Sequence, residues 1–230
     1  MRKNFVQTGQ ATVDGGRKFI EYDWYSGGVP ANVRLGENVY LDTSYGFAAF
    51  HSKREIGFQL GEASGTYDRA SFIVGENGTV KVGSYTVLNG TIIVCNDRVT
   101  IGNHCLLAWG SVITDTWAGF GNAPIEKRRE ALLFAAKDKR RCLLPIATPR
   151  PVILEDNVWV GFDAVILPGV KLGRGSIIGS KTIISENVSP YAIMVGNPPR
   201  LVRYLEPDDT EEMRRQALQE YSVLKPDKVS

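Results

Sequence analysis

Leu154, Val160, Ile166, Leu172, Ile178 and Ile184 are aliphatic and follow one another at intervals of six. Two residues ahead of them runs a second series, small or β-branched throughout: Val152, Val158, Ala164, Val170, Ser176, Thr182 and, at its end, Val188. A period of six fits neither the roughly 3.6-residue turn of an α-helix nor the plain alternation of a hairpin. It predicts a coil of short parallel strands in which each unit supplies one flat side and one corner. The aliphatic residue points inward, and the β-branched residue two before it shares that interior. One such unit cannot bury its apolar face alone, so coils stack and bond backbone to backbone. The pattern is that of a parallel β-helix.

The same rhythm divides the rest of the chain. Residues 1–30 show no repeat, and Tyr22-Asp23-Trp24-Tyr25 with Gly27-Gly28 reads as an aromatic cap on the first coil. The β-helix is expected over 31–203, starting at Leu35, Leu41 and Phe47 with Val33, Val39 and Tyr45 two residues ahead. The register then breaks, and a looped excursion is expected at about 48–71, holding His51 and several glycines. The repeat returns at Val82, Leu88 and Val94, then at Ile101, Leu107 and Ile113; the longer step between the two groups predicts a bulge near Asn96-Asp97. A second excursion is expected at about 116–151. Within it Pro124-Ile125-Glu126 opens a helical pattern through Ala136, with Asn122 as candidate cap and a basic outer face that reads as solvated surface. Pro190 stops the coil, and residues 204–230 read as a C-terminal helix and tail, capped by Asp209 or Thr210.

Composition narrows the function. The 230 residues are 43% hydrophobic, with no apolar run long enough to span a membrane. The start, Met1-Arg2-Lys3-Asn4-Phe5, has no apolar leader, so a cytoplasmic protein is expected. A net charge of +2 argues against a nucleic-acid partner. The three cysteines, Cys95, Cys105 and Cys142, lack metal-ligand spacing and read as reduced thiols, Cys105 lying on the inward β-branched series.

The run Asp156-Asn157-Val158-Trp159-Val160-Gly161, then Ile166-Leu167-Pro168-Gly169-Val170-Lys171-Leu172-Gly173, resembles the hexapeptide-repeat acyltransferases. So do Ile101-Gly102-Asn103-His104-Cys105 and the tail Gly196-Asn197-Pro198-Pro199-Arg200-Leu201-Val202-Arg203. The likeness is greatest to the branch that moves acetyl groups from acetyl-coenzyme A to sugars and other small acceptors. The resemblance implies an all-β fold, a left-handed parallel β-helix, assembled as a homotrimer with sites between subunits. It implies coenzyme A contacts at Gly161, Ser180 and Ser185, where a large side chain would stand between ligand and backbone amides. It also implies phosphate contacts at Arg200 and Arg203, whose planar guanidinium forks suit phosphate. Acceptor contacts are expected at Asn89, Asp97 and Trp117.

The chemistry departs from the family pattern. Members carry a histidine just after the aspartate matching Asp115; here the run is Asp115-Thr116-Trp117. That histidine takes the proton from an attacking hydroxyl, and threonine cannot. Two candidates remain for the base: His51 in the first excursion, and Asp115, with Trp109 and Trp117 expected to desolvate it, its other role being to cap the turn that follows the coil. His104 is placed on an outward corner. Three readings stay open: a coenzyme A-dependent acyltransferase without the usual base, favouring amine acceptors; a trimeric scaffold that has lost catalysis; and a zinc enzyme, which two histidines and no cysteine pair ill support.

Overall fold

A computed structural model describes residues 13–14, 17–21, 23–117, 124–137, 148–207 and 212. The architecture is the expected left-handed parallel β-helix, a three-sided prism. Face I stacks six strands: Val33–Leu35, Phe58–Leu60, Thr79–Val82, Arg98–Ile101, Val152–Leu154 and Lys171–Leu172. Face II stacks eight, from Tyr40–Leu41 through Gly65–Tyr67, Val87–Asn89, Leu106–Leu107, Trp159–Val160 and Ile177–Ile178 to Ala192–Val195 and Arg200–Tyr204. Face III stacks Ser71–Val74, Ile92–Cys95, Val112–Thr114, Val165–Ile166 and Ile183–Ile184. Pairing is parallel from coil to coil, except that Arg200–Tyr204 folds back antiparallel on Ala192–Val195 at the top of face II.

Burial follows the six-residue register. Leu154, Val160, Ile166, Leu172, Ile178 and Ile184 fill the interior, with Val152, Val158, Ala164, Val170, Ser176 and Thr182 beside them. Stacking brings the corner between faces I and II so close that a Cβ at Gly61 would lie 2.5 Å from the backbone of Gly83. Small polar residues at inward positions bond the next coil: the Ser64 hydroxyl donates to the Gly83 carbonyl at 2.8 Å, and that of Thr86 to Gly102 at 2.9 Å. Cys105 Sγ repeats the contact to Glu155 at 3.2 Å. Burial pushes that thiol up to about 11.

The first excursion is far shorter than 48–71. Phe58, Ser64, Ala70 and Leu60, Thr66, Phe72 are two further six-step series, all buried, and they build a whole coil. Ser64 and Thr66 replace aliphatic residues there, which hides the repeat from a hydrophobicity pattern. Residues 51–57 form a widened corner in which the His51 and Lys53 N–H groups still donate to Val74 and Glu76 at 2.8 Å, and Asn32 Nδ2 ties it down by donating to the carbonyls of Ser52 at 2.9 Å and Arg54 at 3.0 Å. Tyr45, expected inward, is exposed in the 3-10 turn Ser44–Phe47.

Register differs at one more place. Ile93 and Cys95, not Val94, point inward, because the corner after Leu88 is one residue shorter than six. Asn96-Asp97 is then the turn between two strands rather than a bulge within one. In the second excursion the helix α1 (Ile125–Lys137) forms as expected, while the Asn122 cap lies outside the described residues. The C-terminal helix and Cys142 also lie outside them. At the other end, Ile20 and Val29 join the core. The Asp23 carboxylate accepts from the Ser44 N–H at 2.7 Å and from the Thr43 hydroxyl at 2.7 Å, which fastens the cap to the first coil. No helix among the described residues is long and apolar enough to cross a membrane.

Candidate functional site

The edge between faces II and III carries a graded column. Strand register aligns Val195, Gly179, Gly161, Ala108, Asn89 and Tyr67 down this edge, with Asp42 below them. Side chains are absent or small through the middle and polar or aromatic at the lower end. Gly161 is sterically fixed, since a Cβ there would lie 2.7 Å from the Ser180 amide nitrogen. Ser180 is exposed on the same corner, and Arg200 pairs with Val195 just above. Asn89, Gly161, Ser180 and Arg200 therefore share one edge. Arg203 lies across from Ile193 on face II and is exposed.

The remaining nominated residues share the other side of face III. His51, Asp97, Asp115, Trp117 and Ser185 all follow strands of that face, or the first coil's equivalent of one, on the edge toward face I. His51 is exposed, with its backbone N–H donating to the Val74 carbonyl at 2.8 Å. Trp117 and Ser185 are exposed as well. Asn89 and Asp97 are thus not adjacent: the strand Ile92–Cys95 separates them.

Asp115 does not face the mouth of the loop. It is the inward residue after Val112–Thr114, stacked above Cys95, and it is fully buried. Its carboxylate accepts from the backbone N–H groups of Asn96 at 2.9 Å, Asp97 at 2.7 Å and Arg98 at 2.9 Å. Cys95 Sγ lies 3.4 Å from Oδ2. These contacts occupy the acceptor sites that a general base needs free, so the geometry favours a turn-capping role over a catalytic one. Trp109, expected beside it, lies on the opposite edge of face III. Burial and the Asp115 charge push the Cys95 thiol far up.

Several residues at the lower end of the II/III edge were not nominated from sequence. Trp109 is 46% exposed, donates its indole N–H to Asp68 Oδ2, and stacks on Phe162 with centroids 5.5 Å apart and planes 7° apart. Tyr40 stacks on Tyr67 at 4.8 Å. Tyr67 and Asp68 fall in the coil taken for a loop, which is why they were missed. Their signal was the six-residue step Leu60, Thr66, Phe72. On the edge between faces I and II, His104 has φ +57° and stacks on Tyr85 at 5.2 Å, in keeping with the outward corner expected for it.

Comparison with known proteins agrees with this architecture. Residues 151–186 match the family model described as bacterial transferase hexapeptide (six repeats). The chain is 39% identical over 51 residues to a chloramphenicol acetyltransferase of Klebsiella aerogenes, covering 22% of this chain and 24% of that one. A chloramphenicol acetyltransferase of Escherichia coli is 41% identical over 51 residues, with the same coverage. The chain thus spans about a quarter of the length of the curated relatives it matches. Among solved structures, AntD, an N-acyltransferase of Bacillus cereus in complex with dTDP and 3-hydroxybutyryl-CoA, superposes with a TM-score of 0.56 at 16% identity. That match covers 83% of this chain and 89% of the other. A hexapeptide-repeat acetyltransferase of Vibrio cholerae O1 biovar eltor, complexed with acetyl coenzyme A, gives 0.51 at 23% identity over 70% and 74% of the two chains.

Proposed function

We propose that this chain, a hexapeptide-repeat β-helix protein, is a coenzyme A-dependent acyltransferase that moves an acetyl group from acetyl-coenzyme A to the amine or hydroxyl of a sugar, sugar nucleotide or other small acceptor. The observation that carries the reading is the graded column on the II/III edge. The pantetheine arm is thin and bonds through amides, so it needs a strip where backbone is not screened by side chains. Half-buried Gly179 and exposed Ser180 offer such a strip, above the small but buried Gly161 and Ala108. Arg200 and Arg203 stand at its upper end, where the nucleotide phosphates would lie. Below the strip, Asn89, Tyr67 and Asp42 supply the polar groups an acceptor requires.

A homotrimer accounts for the two-edge division of the nominated residues. Edges on either side of one face cannot line one groove within a protomer, but the II/III edge of one protomer can face the III/I edge of the next. The outer surfaces suit that packing. Face III presents Ile73, Ile92, Val94, Val112, Val165 and Ile183, and face II presents Leu106 and Trp159, whereas face I presents Arg34, Gln59, Lys81 and Lys171 with a single apolar residue, Ile153, among them. Apolar faces II and III then meet between protomers, and the charged face I stays in water.

In the reaction the acceptor nitrogen or oxygen attacks the thioester carbonyl, the C–S bond breaks, coenzyme A leaves as the thiol, and the acceptor proton passes to a base. His51 is a proton acceptor on the III/I edge, beside exposed Asp97, whereas the Asp115 carboxylate is committed to backbone amides. An uncharged amine needs less help than a hydroxyl, for which a general base is worth roughly 10²–10⁴-fold. The absence of histidine at position 116 also keeps the scaffold reading in play.

Two measurements decide between them. Coenzyme A at a hundred times its dissociation constant would raise the melting point through about 2.7 kcal/mol of linked stability. Thiol release from acetyl-coenzyme A with an amine acceptor would then establish transfer. Stabilisation without turnover on amine or hydroxyl acceptors supports the scaffold, and no stabilisation at all removes the coenzyme A site.

A further inference from the structure

The helix α1 keeps its large side chains out of the fold. Arg128, Ala131 and Ala135, spaced by three and four, form the side turned toward the rest of the chain, and among the described residues of α1 only Ala135 is buried. Leu132, Leu133 and Phe134 are 49%, 61% and 62% exposed. They stand in an unbroken apolar run, Ala131 to Ala136, which is longer than one helical turn and so is apolar all the way round. A turn of that kind belongs in an apolar medium, not in water.

Geometry and charge together identify the medium. Successive residues of a helix point about 100° apart, so Leu132, Leu133 and Phe134 face three directions. A flat protein surface, such as an outer face of a second prism, covers about half of the circumference and leaves Leu132 or Phe134 wet; a fluid apolar layer takes all three. Positions 127–141 carry seven basic and two acidic residues, in a chain whose net charge is only +2. Lys127 and Arg129 before the apolar run, and Lys137 after it, are exposed. An apolar turn between two basic stretches is complementary to an anionic lipid surface: acyl chains receive the apolar side chains, headgroups the cations. With 13 residues the helix is too short to cross a bilayer and lies at its surface.

We propose that α1 is a membrane-surface anchor, inserting Leu132, Leu133 and Phe134 into an anionic lipid layer while Lys127, Arg129 and Lys137 hold its headgroups. The excursion leaves and re-enters the coil where the Arg150 N–H meets the Asp115 carbonyl, so the anchor hangs from the prism at one point and insertion asks nothing of the coil packing. The inference stands on the helix alone and does not depend on the acyltransferase reading.

The test is co-sedimentation of the full chain with unilamellar vesicles of phosphatidylcholine alone, or of phosphatidylcholine mixed equally with phosphatidylglycerol. Wild type should bind the mixed vesicles about tenfold or more tightly than the neutral ones, the difference shrinking as salt is raised to about 1 M. Leu133→Ser with Phe134→Ser keeps every charge and should weaken binding to mixed vesicles about tenfold or more. Lys127→Glu with Lys137→Glu should weaken it as much and abolish the preference for anionic lipid. Arg34→Glu with Lys81→Glu, the same change of charge on face I, should bind as wild type does. Melting temperature and sedimentation of each variant without lipid check the fold and the assembly. Failure of wild type to bind mixed vesicles, binding that either helix variant leaves unchanged, or an equal loss in the face I variant overturns the proposal. No vesicle binding by wild type, with an assembly that falls apart in Leu133→Ser with Phe134→Ser, overturns it in favour of a second copy as the partner of α1.

Discussion

The Arg150 backbone N–H donates to the Asp115 carbonyl at 2.7 Å, so the longer excursion leaves and re-enters the coil at a single point. The coil continues beneath it undisturbed, because Val99 in the preceding coil pairs directly with Val152 in the next. Asp115 thus does two structural tasks, closing the excursion through its main chain and holding the Asn96–Arg98 turn through its carboxylate.

Removing that carboxylate should be costly to the fold. Asp115→Ala leaves the amides of Asn96, Asp97 and Arg98 without their acceptor, and hydrogen bonds to a charged group contribute more than neutral ones. A loss of about 3 kcal/mol or more is expected in urea unfolding. A melting curve indistinguishable from wild type would return Asp115 to the list of catalytic candidates.

Ser176 should behave in the opposite sense. Its hydroxyl is buried and finds no partner among the described residues, while the equivalent Ser64 and Thr86 donate to the next coil. Ser176→Ala removes an unpaired polar atom and should stabilise by about 1 kcal/mol. A lower melting point in the variant would reveal a partner for that oxygen.

Cys105 sets a pH dependence. Its folded thiol is raised by burial from 9.0 to about 11, so between those values the native chain keeps a proton that the unfolded chain has released. Stability contributed by this group is full below pH 9 and falls as pH rises toward 11. Chemical denaturation across that range should show the decline in wild type and a shallower one in Cys105→Ala. Equal slopes would mean the thiol does not report its burial.

Assembly is checked by the outer faces. Sedimentation at micromolar concentration should give three times the 25.3 kDa chain mass. Ile92→Arg, on face III, should yield a folded monomer, and Lys81→Glu, on face I, should leave the assembly intact. A wild-type monomer, or an Ile92→Arg trimer, contradicts the shared site.

The sequence disclosed the fold wherever aliphatic residues marked the register, and lost it where polar ones did. Leu154 to Ile184 could be read directly because one inward series is aliphatic at every step, although Ser176 and Thr182 stand in the series beside it. Ser64 and Thr66 are just as buried, but they satisfy their hydroxyls or pack by shape, which a hydrophobicity pattern does not register. The site suffered in proportion. Gly161, Ser180 and Arg200, singled out from motif residues, fall on one edge, and their contact with a ligand is what is proposed. The contact between Trp109 and Asp68 was not legible, because it depends on a coil hidden by polarity and on the clearance at Gly90. Of the two roles open to Asp115, the geometry favours the cap, but its place was not legible: it points into the prism and holds the Asn96–Arg98 turn, away from the loop that follows it.

Calorimetric titration of coenzyme A tests the central claim most directly. Wild type should bind with one site per protomer. Ser180→Trp fills the strip beside Gly161, and Arg200→Ala with Arg203→Ala removes the phosphate contacts. Each variant should weaken binding about tenfold or more while melting as wild type does. Absence of binding in wild type, or affinity unchanged in both variants, would contradict the assignment of the II/III edge as the coenzyme A site.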